Sequence, residues 1–448
     1  MTPTGIVPGW SSQPAGRPVR PAGFALFVAS ALLAALPVQP AAASVSAESA
    51  SVAATAGPQW ITSDQRAATH FIALLQSADL DGLDPNRFKI KQLLRAMNSA
   101  SEGNWKAADH ANALFNRALV DYVTALRSQP SNQWSIVDPT AVPSAPSASA
   151  LLAQAAAAPS LERWVDTMPF MHPSYAELRR ALAAARTRGD SRSEGVLKVN
   201  LDRVRLLPSS GRYVLVNIAA QRLYMFQDGQ PVDSMKVVVG QGRDDRKTPM
   251  MAGRLQYASL NPYWNVPPDL VGDDVGIYVQ KYGLGYLKAR GYQVLSDWSD
   301  NASVVDPATV DWQAVMDGKI KIRVRQLPGP RNVLGKVKYT FPNPYGVYLH
   351  DTSQPQLLTH EVRLFSGGCI RLEDAARLGQ WLFGRTLTAS SDTPEIEVPL
   401  DRPVPIYVAY LTAVPEGSSV TYFEDVYGWD SKRLTETGPE GARVAANQ

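Results

Sequence analysis

The hydrophobic period of this chain changes once, near residue 196, from the helical repeat of about 3.6 residues to the strand repeat of two. That single switch limits the fold to helices first and strands afterwards. In the N-terminal part Phe71, Leu75 and Ala78 share one face behind Thr62-x-x-Gln65, which has the form of a capping box. Phe115, Leu119, Tyr122 and Leu126 mark a second amphipathic helix. A third is expected from Ser174, with Glu177 in the capping-box position, to Gly189. Residues 138–159 carry Pro139, Pro143, Pro146 and Pro159 among Ala and Ser, the composition of a linker with room for a short Ala-rich helix. Beyond 196, YVLVNI (213–218), RLYMF (222–226), VDSMKVVV (232–239), RLQYASL (254–260), IKIRVRQ (320–326), KVKYTF (336–341), YGVYLH (345–350) and IYVAYL (406–411) read as strands, with Asp228-Gly229 as a hairpin turn.

The fold class is therefore α+β: a helical N-terminal scaffold over 58–190, then a β-rich, sandwich-like or barrel-like domain over 195–413. Residues 262–318 are too long for a loop and are expected to form an inserted lid, with one helix capped by Asp306, opened by Pro307 and ended by Gly318. Residues 414–448 are a C-terminal extension.

The first 43 residues have the order of an export signal: Arg17 and Arg20, the uncharged run Gly23 to Leu36, then Ala41-Ala42-Ala43. Uncleaved, the same segment would be an N-terminal membrane anchor. Residues 44–57, Ala- and Ser-rich, are expected to be disordered. Either outcome sends the body out of the cytoplasm. The chain carries 44 Lys and Arg against 41 Asp and Glu, and this small excess argues against nucleic acid as a partner. Its one cysteine, Cys369, excludes an intrachain disulfide and a cysteine-rich zinc site. A lone thiol in an exported protein is unusual, because an oxidising compartment pairs or eliminates structural thiols.

Chemistry is concentrated between Tyr348 and Ala375. His350 ends an expected strand, and Cys369 follows Gly367-Gly368, a pair able to turn tightly and aim amide N–H groups at one point. A free thiol is only a few per cent thiolate at neutral pH, a deficit a neighbouring imidazole relieves. His350 is preferred to His360 as that imidazole, since a strand end holds a side chain rigidly and His360 lies in turn-like sequence. A zinc site of His350, His360 and Cys369 fits no common ligand spacing, so neither metal nor cofactor is expected. VVVGQGRDD (237–245) lacks the third glycine of a dinucleotide loop and reads as a turn. His70, His110 and His172 stand apart in the helical part as surface or packing histidines.

His350 followed by Ser366-Gly367-Gly368-Cys369-Ile370-Arg371 resembles the signature of YkuD-type L,D-transpeptidases. VNIAAQRLYMFQDGQPV, VVVGQGRDDRKTPMMAG, NPYWNVPPDL, FPNPYGVYLHDT and VPIYVAYLTAV are similar to successive blocks of that family's large periplasmic, YcbB-like branch, and LLQSADLDGLDP (74–85) to its helical scaffold. The chain departs from the branch in two ways: Gly367 stands where many relatives have His, and no peptidoglycan-binding module fits between Gly189 and the block near Asn200. The resemblance implies a periplasmic enzyme that acts on the tetrapeptide stem of peptidoglycan in a Gram-negative envelope. Cys369 would be the nucleophile and His350 the proton acceptor and donor, oriented by the backbone carbonyl of Asp351. Amides around Gly367, Gly368 and Cys369 would hold the oxyanion, and Ser366, Arg371, Tyr348, Trp264 and Tyr263 would meet substrate. Carbapenem β-lactams would be inhibitors. The acceptor is left open: a diaminopimelate amine gives a cross-link, a lipoprotein lysine a tether, and water a carboxypeptidase. An unrelated cysteine peptidase and a wall-associated scaffold with a dead site are the other classes.

Overall fold

The computed structural model describes residues 57–100, 104–129, 133–417 and 419–437. The signal or anchor expected at 1–43 and all but Gly57 of the 44–57 segment lie outside them. No helix among the described residues is long and apolar enough to cross a membrane.

Seven helices build the scaffold: α1 (Arg66–Gln76), α2 (Ile90–Ala100), α3 (Trp105–Arg127), α4 (Ala148–Ala156), α5 (Leu161–Thr167), α6 (Pro173–Thr187) and α7 (Ser191–Val204). The faces expected from periodicity are the ones that pack: Phe71, Phe115, Leu119, Tyr122 and Leu126 are all buried, with Trp60 against Phe71 at 4.9 Å and Phe115 at 5.6 Å. Asp81 is fully buried and pairs with Arg179 at 2.9 Å while accepting from the hydroxyls of Tyr122 and Tyr175. One carboxylate thus ties α3 to α6, and its complement of donors offsets the cost of burying the charge.

Both expected capping boxes are replaced. Gln65 is itself the residue before α1, at φ 49°, and Asp64 accepts from the Arg66 amide. α6 begins one residue early at Pro173, which suits a first helical turn, and buried His172 caps it by accepting the Ser174 amide through Nδ1. The switch to strands also comes later than 196. VLKVNLDRV stays helical to Val204, burying Leu197, Leu201 and Val204 at spacings of four and three. Its alternating valines and leucines fit both periods over so short a window. The 138–159 linker contains the Ala-rich α4, and Leu151 anchors it in the core.

The strands form one large sheet and two small ones; β1 (Ser135–Ile136), β2 (Arg212–Asn217), β3 (Arg222–Gln227), β4 (Gln230–Gly240) and β5 (Met251–Leu260) come before the insertion. Inside the insertion lie β6 (Trp264–Asn265), α8 (Pro268–Leu270), a π-helical turn (Val271–Gly276), α9 (Ile277–Tyr282), α10 (Gly285–Arg290), β7 (Tyr292–Leu295), β8 (Val304–Val305), α11 (Trp312–Met316) and β9 (Arg323–Gln326). The chain then returns through β10 (Val337–Thr340), β11 (Leu349–His350), β12 (Leu364–Ser366), β13 (Ile370–Leu372), α12 (Ala375–Phe383) and β14 (Ile396–Ala409), and ends in the hairpin β15 (Ala413–Glu416) and β16 (Ser419–Tyr422) and α13 (Trp429–Thr437).

The large sheet runs β1-β5-β10-β11-β13-β4-β3-β2-β14, and β14 also pairs with β5, so the sheet closes on itself and presents only short edges. β1, from the scaffold linker, joins β5 in parallel. On the other side Arg203 of α7, fully buried, donates to the Tyr410 carbonyl at 2.8 Å and pairs with Asp430 of α13 at 2.5 Å.

The insertion has its own sheet, β6-β9-β7-β8, and its own core, which includes Trp264, Val271, Val275, Leu287 and Val324. IKIRVRQ therefore belongs to this subdomain and not to the main series, because Val324 is completely buried in the small core. The single expected helix is broken at Val310, whose extended backbone separates a 3-10 turn after Asp306 from α11, newly capped by Asp311. Four further helical pieces, α8, the π-helical turn, α9 and α10, lie between Pro268 and Arg290 and carry no clear signal in the sequence.

Candidate active site

β11 sits between β10 and β13, and its parallel register with β13 sets Leu349 beside Ile370 and His350 beside Arg371. The Ile370 amide donates to the Tyr348 carbonyl at 3.0 Å, which brings Tyr348 alongside Cys369. Alternation along each strand then turns Tyr348, His350, Cys369 and Arg371 toward one face. All four line a cleft of about 700 Å³ roofed by the inserted subdomain.

His350 is buried, and its Nδ1 lies 2.5 Å from the backbone carbonyl of Asp351. A carbonyl only accepts, so this bond assigns the proton to Nδ1 and leaves Nε2 as the base. Burial, assisted by the charges of Arg371 and Lys338, pushes the imidazole down to about 3, against the opposing effect of the Asp351 carbonyl. Burial also pushes the Cys369 thiol up, although the amide and hydroxyl of Tyr348 and the cation of Arg371 favour the thiolate. Its sulfur donates to the Gly346 carbonyl at 3.5 Å. The resting pair is a neutral thiol and a neutral imidazole, suited to moving the proton as the sulfur attacks.

The turn before Cys369 is held from both sides. Ser366 Oγ donates to the Cys369 carbonyl at 2.6 Å and accepts the Gly368 amide at 3.1 Å. Thr248 Oγ1 donates to the Gly368 carbonyl at 2.7 Å and accepts the Gly240 amide at 2.8 Å. This corrects the expectation for Gly368: its N–H is committed to Ser366 and does not face an oxyanion. The Gly367 and Cys369 amides, which donate to no other group among the described residues, are the remaining pair. The glycines also differ in need. Gly368 adopts φ +124°, a conformation for glycine. Gly367 does not, and a Cβ there would meet only Leu270 at 3.4 Å and the Arg246 side chain at 3.7 Å.

Ser366 is thus a strap for the turn. Arg371 donates to Gln354 at 2.7 Å and keeps a buried Nε without a partner in the cleft wall. Trp264 lines the cleft but is mostly committed to the lid core. Tyr263 does not line it. The guanidinium of Arg325 stacks 4.4 Å from the Tyr263 ring, which makes that residue part of lid packing. His360 is exposed and does not itself line the cleft, although it lies 5.2 Å from the ring of Phe365, which does.

Sequence reasoning missed Thr248 and Arg246, both in the RDDRKTPM segment read as a turn. A turn it is, since the Arg246 amide closes on the Arg243 carbonyl at 2.9 Å and no helix follows. Arg246 is nevertheless buried, and from beside Gly367 it pairs at 2.9 Å with Asp273 of the lid. A Thr-Pro step after five charged residues was the available signal. The tyrosines 278, 282 and 286, spaced by four on the lid, were the other.

Residues 211–406 match the family model described as the L,D-transpeptidase catalytic domain, YkuD, and residues 53–182 match that of the Scaffold domain. A Haemophilus influenzae protein named "Putative L,D-transpeptidase" is 31% identical over 241 residues, which is 52% of this chain and 48% of that protein. The chain thus spans about half the length of the curated relative it matches.

Proposed function

We propose, from the match of residues 211–406 to the L,D-transpeptidase catalytic domain and of residues 53–182 to the Scaffold domain, that this chain is a peptidoglycan L,D-transpeptidase working through a Cys369 thioester on the tetrapeptide stem. The observation that carries the reading is the pairing of β11 with β13. It sets a buried imidazole, its Nδ1 fixed by the Asp351 carbonyl, on the same cleft face as the chain's one thiol.

The chemistry follows from the neutral pair. His350 Nε2 takes the thiol proton as sulfur bonds to the carbonyl carbon at the L-centre of diaminopimelate. The oxyanion forms against the amides of Gly367 and Cys369. The tetrahedral species collapses by breaking the C–N bond, and the imidazolium returns the proton to the departing D-Ala amine. A side-chain amine of a second stem then attacks the thioester and gives its proton to His350, restoring the thiol and leaving a cross-link. Arg371, in the cleft wall with a free Nε, is suited to a stem carboxylate. The reading places this work in the periplasm, where the sacculus lies. A carbapenem offers Cys369 a strained acyl donor with a carboxylate of its own.

Two measurements test it. Intact mass should show one carbapenem adduct per chain, absent in Cys369→Ala. Sacculi or purified tetrapeptide muropeptides incubated with the protein should yield cross-linked dimers with release of D-Ala. An adduct on Cys369→Ala would overturn the nucleophile, and tripeptides without dimers would replace transfer by hydrolysis.

A further inference from the structure

Three tyrosines of the lid form an ordered group. Tyr278 and Tyr282 are on α9 and Tyr286 on α10, and Gly283, at φ +76°, breaks the helix between them. The break folds Tyr286 back, so that the three rings lie within 5.2 to 6.3 Å of one another and within 25° of parallel. Tyr286 is half-buried on the lid core, whereas Tyr278 is 43% and Tyr282 59% exposed. Single exposed aromatics are ordinary, but a contiguous and ordered group of them marks a contact surface. All three rings line the same cleft as Cys369 and His350.

Position and chemistry say what would lie there. The rings are far more exposed than the catalytic strands and so form the outer part of the cleft wall. A stem of three residues reaches about 10 Å when extended, so with its third residue at the thiol whatever carries the stem lies toward the outside of the same cleft, whose lining includes these three rings. In peptidoglycan that carrier is a pyranose. A sugar ring presents a flat face of C–H bonds and a rim of hydroxyl and acetamido groups. A flat aromatic face with negative π density receives the first, and phenolic hydroxyls at its edge can bond the second. The cations at this surface are turned to the rings themselves: Lys281 is 5.1 Å from Tyr282 and Arg290 5.9 Å from Tyr286.

We infer that Tyr278, Tyr282 and Tyr286 form a saccharide subsite that holds an N-acetylhexosamine of the glycan while its stem occupies Cys369. This rests on the peptidoglycan reading above and extends it from the peptide to the glycan. The subsite makes the enzyme prefer stems still attached to sugar.

The test compares acylation of the intact chain by free tetrapeptide and by disaccharide-tetrapeptide, as a ratio of kcat/KM. The ratio should favour the disaccharide form by about five- to tenfold, the scale of an added aromatic contact, and approach one in Tyr278→Ala/Tyr282→Ala. Tyr282→Leu, which keeps apolar bulk at an exposed position but removes the ring face, should lower it as well. A binding arm is independent of turnover: in Cys369→Ala, saturation-transfer NMR with N-acetylglucosamine oligomers should show C–H contacts that the added tyrosine changes abolish. A ratio of one in the unaltered chain, or a preference unchanged in the double variant, overturns the subsite. So does an absence of saturation transfer. If neither stem acylates Cys369 while sugar binding is seen and depends on the tyrosines, the subsite stands and the transpeptidase reading falls.

Discussion

The hydroxyl of Ser366 donates to the carbonyl of Cys369 at 2.6 Å and takes the amide of Gly368 in return. One buried side chain therefore closes the turn that delivers the nucleophile and diverts one amide from the oxyanion position. In Ser366→Ala both backbone groups lose their partner, at about 1–3 kcal/mol for each buried group left unsatisfied. Carbapenem acylation of this variant should slow by about tenfold or more, since a shift of 1 Å in a reacting group is costly. Ser366→Thr should retain more. Stopped-flow acylation with parallel thermal melts would check this, and a Ser366→Ala variant acylating at the parent rate would remove the strap from the mechanism.

The two glycines of the turn should respond differently. Gly368→Ala forces a side chain onto a backbone at φ +124°, a strain of about 1–3 kcal/mol, and its acylation should be largely lost. Gly367→Ala places its Cβ in ordinary contact with Leu270 and Arg246 and should remain within a few-fold of the parent. A larger side chain at 367 starts from contact with Leu270 of the lid, so Gly367→His should act on the lid as well as on the rate.

Acid should act on stability through two histidines. His350 and His172 are buried and each is held down to about 3, burial being the main cause for both. From about pH 6.5 downward the unfolded chain binds protons at these positions and the folded chain does not, so stability is lost as pH falls through the window from 6.5 to about 3. Melting temperatures of His172→Gln should fall less steeply between pH 6.5 and 4 than those of the parent. Acylation should keep its rate down to about pH 5, because His350 remains neutral there. An acid limb centred near 6.5 would mean that the base is a solvated imidazole, not His350. Simple alkylation of the raised Cys369 thiol should keep increasing beyond pH 9.

What the sequence made legible was whatever is written in local pattern. Phe115 to Leu126 announce their helix face, and the strand ending in His350 and the turn before Cys369 announce the reacting pair. What stayed hidden is non-local or lies where two patterns coincide. VLKVNLDRV alternates well enough to pass for a strand until the packing of Leu197 and Leu201 settles it as helix. IKIRVRQ reads as a strand in either sheet, and only the pairing of Arg325 with Asn265 and Gln293 places it in the lid. Thr248 and Arg246 act on residues about 120 positions away, at Gly368 and Gly367, and no spacing rule connects them.

Arg246 also gives the lid a testable hinge of charge. Its guanidinium is buried against the catalytic turn and bonds at 2.9 Å to Asp273, on the π-helical turn that follows α8 in the lid. Asp273 itself is more than half exposed, so the bond alone contributes little to global stability. Its effect should be local, holding Leu270 and the segment to Tyr282 over Gly367. Arg246→Met keeps the apolar stem and removes the charge. Hydrogen exchange in residues 268–282 should then speed up while the strands of the main sheet keep their protection, and acylation should fall by about tenfold as water enters the cleft. Asp273→Asn should reproduce the exchange effect with a smaller loss of rate, because Arg246 remains beside the turn. If exchange in the lid is unchanged in both variants, the subdomain is held by its own core and contacts other than this ion pair.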